Sequence, residues 1–90
     1  MSLKQEITNY SDLSGIAQRA FCIIDRRTHS ELKEYVYVTK EDLSWELQTS
    51  IPNVKLALRE LKETGYVVPK NKNSCWLRVG EEYRIERDKN

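Results

Sequence analysis

Two cysteines and one histidine are all the Cys and His ligands that this chain of 90 residues offers to a metal ion. Cys22 and Cys75 stand far apart with no CxxC spacing, and His29 is alone, so a zinc site is not expected and both cysteines read as reduced thiols. Only three glycines are present, and they form no phosphate-cradling loop. No Ser or Cys nucleophile has a paired base, and the chain lacks the parts of an enzyme. No cofactor is implied. No run of about 18 apolar residues could span a membrane, and the opening residues lack the apolar stretch of a signal peptide, so a soluble, cytoplasmic protein is expected.

Net charge of one sign is also missing: fifteen Lys and Arg face fourteen Asp and Glu, leaving +1. The distribution is uneven, however. From Pro52 to Arg78 the cations Lys55, Arg59, Lys62, Lys70, Lys72 and Arg78 meet only Glu60 and Glu63, an excess of +4, whereas the flanking segments are net negative. Such a segment can set up a local positive potential on a nearly neutral protein. Length allows one domain, which we place at residues 11–87 after an extension at 1–10 and before a frayed tail at 88–90. A chain this short buries only about 60 to 65% of its unfolded surface, and a homodimer would add stability.

Leu13, Ile16, Ala17, Ala20, Phe21 and Ile24 repeat at helical spacing and predict a first helix over about Asp12 to Thr28, capped by Ser11 or Asp12. His29 then meets the negative end of the helix dipole. Tyr35 to Val38 read as a short strand. Thr39 with Asp42 fits a capping box opening a second helix to about Leu47, with Leu43 and Leu47 inward. A third helix starts near Ser50 or Ile51, tolerates Pro52 in its first turn, buries Val54, Ala57, Leu58 and Leu61, and ends at Gly65. Tyr66 to Val68 and Cys75 to Val79 pair as a hairpin turning at Lys70 to Ser74. Alternation sends Cys75, Leu77 and Val79 inward and Trp76 and Arg78 outward. Tyr83 and Ile85 alternate with polar neighbours and could add a strand or pack on a partner.

The stretch Asp42-Leu43-Ser44, Ser50-Ile51-Pro52-Asn53-Val54, Ala57-Leu58, Leu61 and Gly65-Tyr66-Val67 resembles winged helix-turn-helix domains, in register over Asp42 to Val67. The resemblance implies an α+β fold of three helices with a small antiparallel β-hairpin wing. One departure lies in the turn, where the family usually has glycine then an aliphatic residue and this chain has Gln48 then Thr49; an irregular turn is expected.

The resemblance further implies non-enzymatic binding of double-stranded DNA, as a transcriptional regulator or a phage or plasmid replication accessory. The third helix would present Pro52, Asn53, Leu56 and Arg59 to base edges, Asn53 being suited to adenine and Arg59 to guanine. Lys55, Lys62, Lys70, Lys72 and Arg78 would hold phosphate. The same residues also suit a merely solvated charged face. Leu56 fits a groove-reading helix poorly, and with Trp45 and Trp76 it makes the alternative a protein-docking winged helix, an adaptor or inhibitor. Trp76 could also cover the hairpin or stack on a base.

Overall fold

The computed structural model describes residues 13–80 and orders them as α1 (Gly15–Glu31), β1 (Val36–Tyr37), α2 (Lys40–Leu47), α3 (Ile51–Thr64), β2 (Val67–Pro69) and β3 (Trp76–Val79). The expected caps Ser11 and Asp12, the strand at Tyr83 and Ile85, the 1–10 extension and the 88–90 tail lie outside the described residues.

The architecture is α+β, with three helices on a small antiparallel sheet among the described residues, a layout compatible with the winged-helix arrangement. The sheet has the order β1-β3-β2, so β3 is the central strand. Val36 faces Leu77 and Tyr37 faces Trp76 on one side; Val67 faces Val79, Val68 faces Arg78 and Pro69 faces Leu77 on the other. The expected hairpin is present, and the strand near Tyr35 to Val38 joins it as a third member. Both outer strands are short and β2 carries Pro69, features that discourage edge pairing.

The first helix begins three residues later than its hydrophobic stripe predicts. Ser14 caps it, its hydroxyl accepting from the Ala17 amide at 3.2 Å, while Leu13 is buried ahead of the helix. A short hydroxyl one residue after the anchoring leucine satisfies a first-turn amide, which displaces the upstream candidates. The Ser14 N–H in turn donates to Glu60 Oε2 at 3.0 Å, fastening the start of α1 to α3. Beyond the predicted end at Thr28 the helix runs to Glu31, and Leu32 closes it in the left-handed region at φ 55° with 89% of its surface exposed. His29 lies in the last turn, Nδ1 3.0 Å from the Asp25 carbonyl oxygen.

α1 packs against α2, α3, β1 and β3, so it buries more than one stripe. Ile23, Asp25 and Thr28 join Ala17, Ala20, Phe21 and Ile24 inside, and Ile16 is half-buried. From α3 the core takes Val54, Ala57, Leu58 and Leu61; α2 supplies Leu43 fully and Leu47 in part. Val36, Val38, Val67, Leu77 and Val79 fill the sheet side. Cys75, expected inward with them, is only half-buried, because it precedes β3 at the mouth of the turn. Phe21 meets Tyr66 edge to face, with ring centroids 5.3 Å apart.

Leu61 has no exposed surface whereas Leu56 is 60% exposed. Truncating each to alanine in urea denaturation should therefore separate the two faces of α3. Leu61→Ala is expected to cost about 2 to 5 kcal/mol, and Leu56→Ala no more than about 0.5 kcal/mol.

Candidate nucleic-acid interface

The site is built on the corner between α2 and α3. Thr39 caps α2, its hydroxyl accepting from the Asp42 amide at 3.0 Å. The Asp42 carboxylate, expected to reach back as the other half of a capping box, faces α1 and accepts from Arg27 Nη1 at 2.9 Å. Arg27 Nη2 donates to Glu46 Oε2 at 2.7 Å. One planar guanidinium thus grips two carboxylates one helical turn apart, a geometry that a lysine cannot reproduce. Burial works against the Arg27 charge, but the hydrogen bonds and charges of Asp42 and Glu46 outweigh it and hold the guanidinium above its ordinary value.

The turn itself is well formed rather than irregular. Gln48 takes the left-handed conformation at φ 54°, the position glycine usually fills, and its N–H bonds to the carbonyls of Ser44 and Trp45. The Thr49 N–H donates to the Ser44 carbonyl at 3.1 Å, and the Ser44 hydroxyl donates to the Thr49 carbonyl at 2.6 Å. These bonds satisfy the end of α2 and hold a side chain where a Cβ is disfavoured. Ser50 then caps α3, and Gly65 ends it at φ 87°.

With Val54, Ala57, Leu58 and Leu61 inside, α3 turns Pro52, Asn53, Lys55, Leu56 and Arg59 to solvent, as their spacing requires. Glu60 lies at the flank of that face with its carboxylate engaged by the Ser14 N–H, while the exposed Glu63 stands one turn beyond Arg59 at its C-terminal end. The Asn53 amide donates from Nδ2 to Thr49 Oγ1 at 3.0 Å, which orients it and leaves it exposed. Lys62 lies in the last turn, half-buried, and is the least accessible of the α3 cations.

On the hairpin, the Lys70 N–H pairs with the Trp76 carbonyl at 2.8 Å, the Ser74 N–H with the Asn71 carbonyl at 3.1 Å, and Asn73 adopts φ 64°. Lys70 and Lys72 are exposed at this tip, with Lys70 Nζ 5.8 Å from the centre of the Tyr35 ring. Arg78 is not the open cation expected. It is half-buried, its Nη1 donates back to the Val79 carbonyl at 3.2 Å, and its Nε is buried without a partner. Its place in the central strand, between neighbours on both sides, accounts for this.

Trp45 is 81% exposed on α2 above a shallow cleft lined by Glu41, Ser44, Gln48, Thr49 and Ile51. Trp76 is 42% exposed and lies against Tyr37, ring centroids 5.2 Å apart and planes at 59°. Sequence reading did not single out Tyr35 and Tyr37 for this surface, although the alternation Tyr35-Val36-Tyr37-Val38 already puts both tyrosines on one side.

Among the described residues no helix is long and apolar enough to cross a membrane, and no three His, Cys, Asp or Glu side chains cluster as a metal site would require. No protein-family model, curated protein or solved structure matches the chain.

Two variants test the corner. Gln48→Gly relieves the left-handed side chain and is expected to raise stability by about 0.5 to 1 kcal/mol in urea denaturation; an unchanged or lower midpoint would show that the Gln48 side chain compensates. Arg27→Ala is expected to lower stability by about 1 kcal/mol, a modest figure because both carboxylates are more than two-fifths exposed. The guanidinium value is raised, so its contribution is complete below the unfolded value and would fade only at still higher pH. The cost of Arg27→Ala should therefore not shrink between pH 7 and about pH 10.

Proposed function

We infer that this chain is a winged helix-turn-helix domain that binds double-stranded DNA, with α3 in the major groove and the basic hairpin against the phosphate backbone, and that it acts as a non-enzymatic transcriptional regulator or replication accessory. The observation that carries this reading is the outer face of α3: Pro52, Asn53, Lys55, Leu56 and Arg59 are exposed together, with Glu63 as the carboxylate at its C-terminal end and Glu60 engaged by the Ser14 N–H. Arg59 is free to take guanine bidentately and Asn53 adenine, while Lys55, Lys70 and Lys72 bind phosphate. Lys62 and Arg78, both half-buried, contribute less. A homodimer would place two such helices on a symmetric site.

A second reading is favoured by one observation, the exposure of two large apolar side chains, Leu56 at 60% on α3 and Trp45 at 81% on α2. Large apolar groups left in water suit a partner protein, for which the domain would be an adaptor or inhibitor.

Titration against mixed-sequence duplex at several salt concentrations decides between them. The DNA reading requires affinity that falls steeply with salt as bound cations displace condensed counterions. Arg59→Ala is expected to cost about 1 to 3 kcal/mol and relax preference at one base pair, whereas Lys70→Ala or Lys72→Ala weakens all sequences and flattens the salt slope by about one unit. Leu56→Ala has little effect in that reading. In the docking reading Leu56→Ala removes a buried anchor and costs about 2 kcal/mol or more; wild-type protein that ignores duplex at low salt would settle the matter against DNA.

A further inference from the structure

The register of the sheet sends one set of side chains away from the core. Val36, Leu77 and Pro69 share one row and Val67 pairs with Val79 in another, and these are the core-facing or half-buried members. The intervening positions, Tyr35, Tyr37, Trp76, Arg78, Val68 and Lys70, therefore lie on the outer face. An antiparallel sheet with one wet face ordinarily shows polar residues there. This face instead gathers three of the chain's eight aromatic residues.

Its electrical character is equally one-sided. The six outward side chains include two cations and no carboxylate, and from Tyr66 to Gly80 the sequence has Lys70, Lys72 and Arg78 with no acidic residue at all. Tyr37 is 55% and Trp76 42% exposed, so both rings keep surface open to solvent despite their mutual contact. The Lys70 ammonium stands over the Tyr35 ring at 5.8 Å, and the half-buried Arg78 adds positive charge beneath the face rather than an open donor. Exposed rings flanked by cations match a ligand that alternates flat π-surfaces with negative charge.

We propose that the outer face of the sheet binds unpaired nucleotides of single-stranded nucleic acid, with bases stacking on Trp76 and Tyr37 and phosphates held by Lys70. A second protein chain would meet the same rings, but among the described residues no carboxylate lies on the face, which favours a polyanion. The surface is distinct from the outer face of α3 and does not require the duplex reading. Together the two would let one domain hold duplex and adjoining single strand.

The test uses the full chain carrying Trp45→Phe, so that Trp76 is the only tryptophan, and an oligothymidylate of about 12 nucleotides. Binding is expected to quench Trp76 fluorescence, with an affinity that falls as salt rises. Tyr37→Ala in that background should weaken binding about 5- to 100-fold, and Trp76→Leu should do the same when followed by anisotropy of a labelled oligonucleotide; Trp76→Phe, which keeps a stacking ring, should recover most of the loss. Circular dichroism establishes that each variant is folded. Absence of quenching at low salt, or a Trp76→Leu variant that binds like its parent, overturns the proposal. So does a dimer in sedimentation that depends on Trp76 and is insensitive to the oligonucleotide, which would assign the face to a second copy of the chain. Because α3 is untouched throughout, these outcomes stand independently of the duplex titration.

Discussion

The burial of one stripe of α3 governs the molecule. Val54, Ala57, Leu58 and Leu61 are drawn into the core by α1, α2 and the start of the hairpin, and a helix with that face covered has no choice about what it shows to water. Rotating the stripe inward fixes Pro52, Lys55, Leu56 and Arg59 outward. The Ser14 to Glu60 hydrogen bond, the small Ala17, Ala20 and Ala57 side chains and the Arg27 grip on α2 all serve that placement. None of them touches the exposed face itself.

What could be read in the sequence was local. Ser50, Pro52 and Gly65 delimit α3 through capping chemistry and backbone freedom, which act within a few residues, and the helical stripes report burial directly. The start of the first helix is ambiguous in the sequence because Ser11, Asp12 and Ser14 are all competent caps; the choice among them follows from how Leu13 seats in the core and how Glu60 reaches across from α3. The burial of Asp25 and Thr28 is hidden in another way. Both continue the helical spacing, Asp25 four residues after Phe21 and Thr28 four after Ile24, but their polar side chains do not mark the positions as buried.

The candidate site divides the same way. The α3 residues follow from helical geometry, and the exposed lysines of the hairpin follow from a turn rich in Asn and Ser. Arg78 and the tyrosine pair do not, since their surroundings depend on which strand lies beside β3. Once β1 occupies that edge, Arg78 has neighbours on both sides and folds back on its own strand, and Tyr37 comes to rest on Trp76. Asp42 is a similar case, competent by sequence for a cap but committed in space to Arg27.

The central position of β3 has a kinetic meaning as well. Helices and the hairpin can form from neighbouring residues, but Val36 cannot meet Leu77 until α2, α3 and the wing between them have been laid down. Closing so long a loop carries an entropic cost that the hairpin alone does not meet. The outer sheet face, which takes residues from both β1 and β3, therefore exists only once that seam has closed.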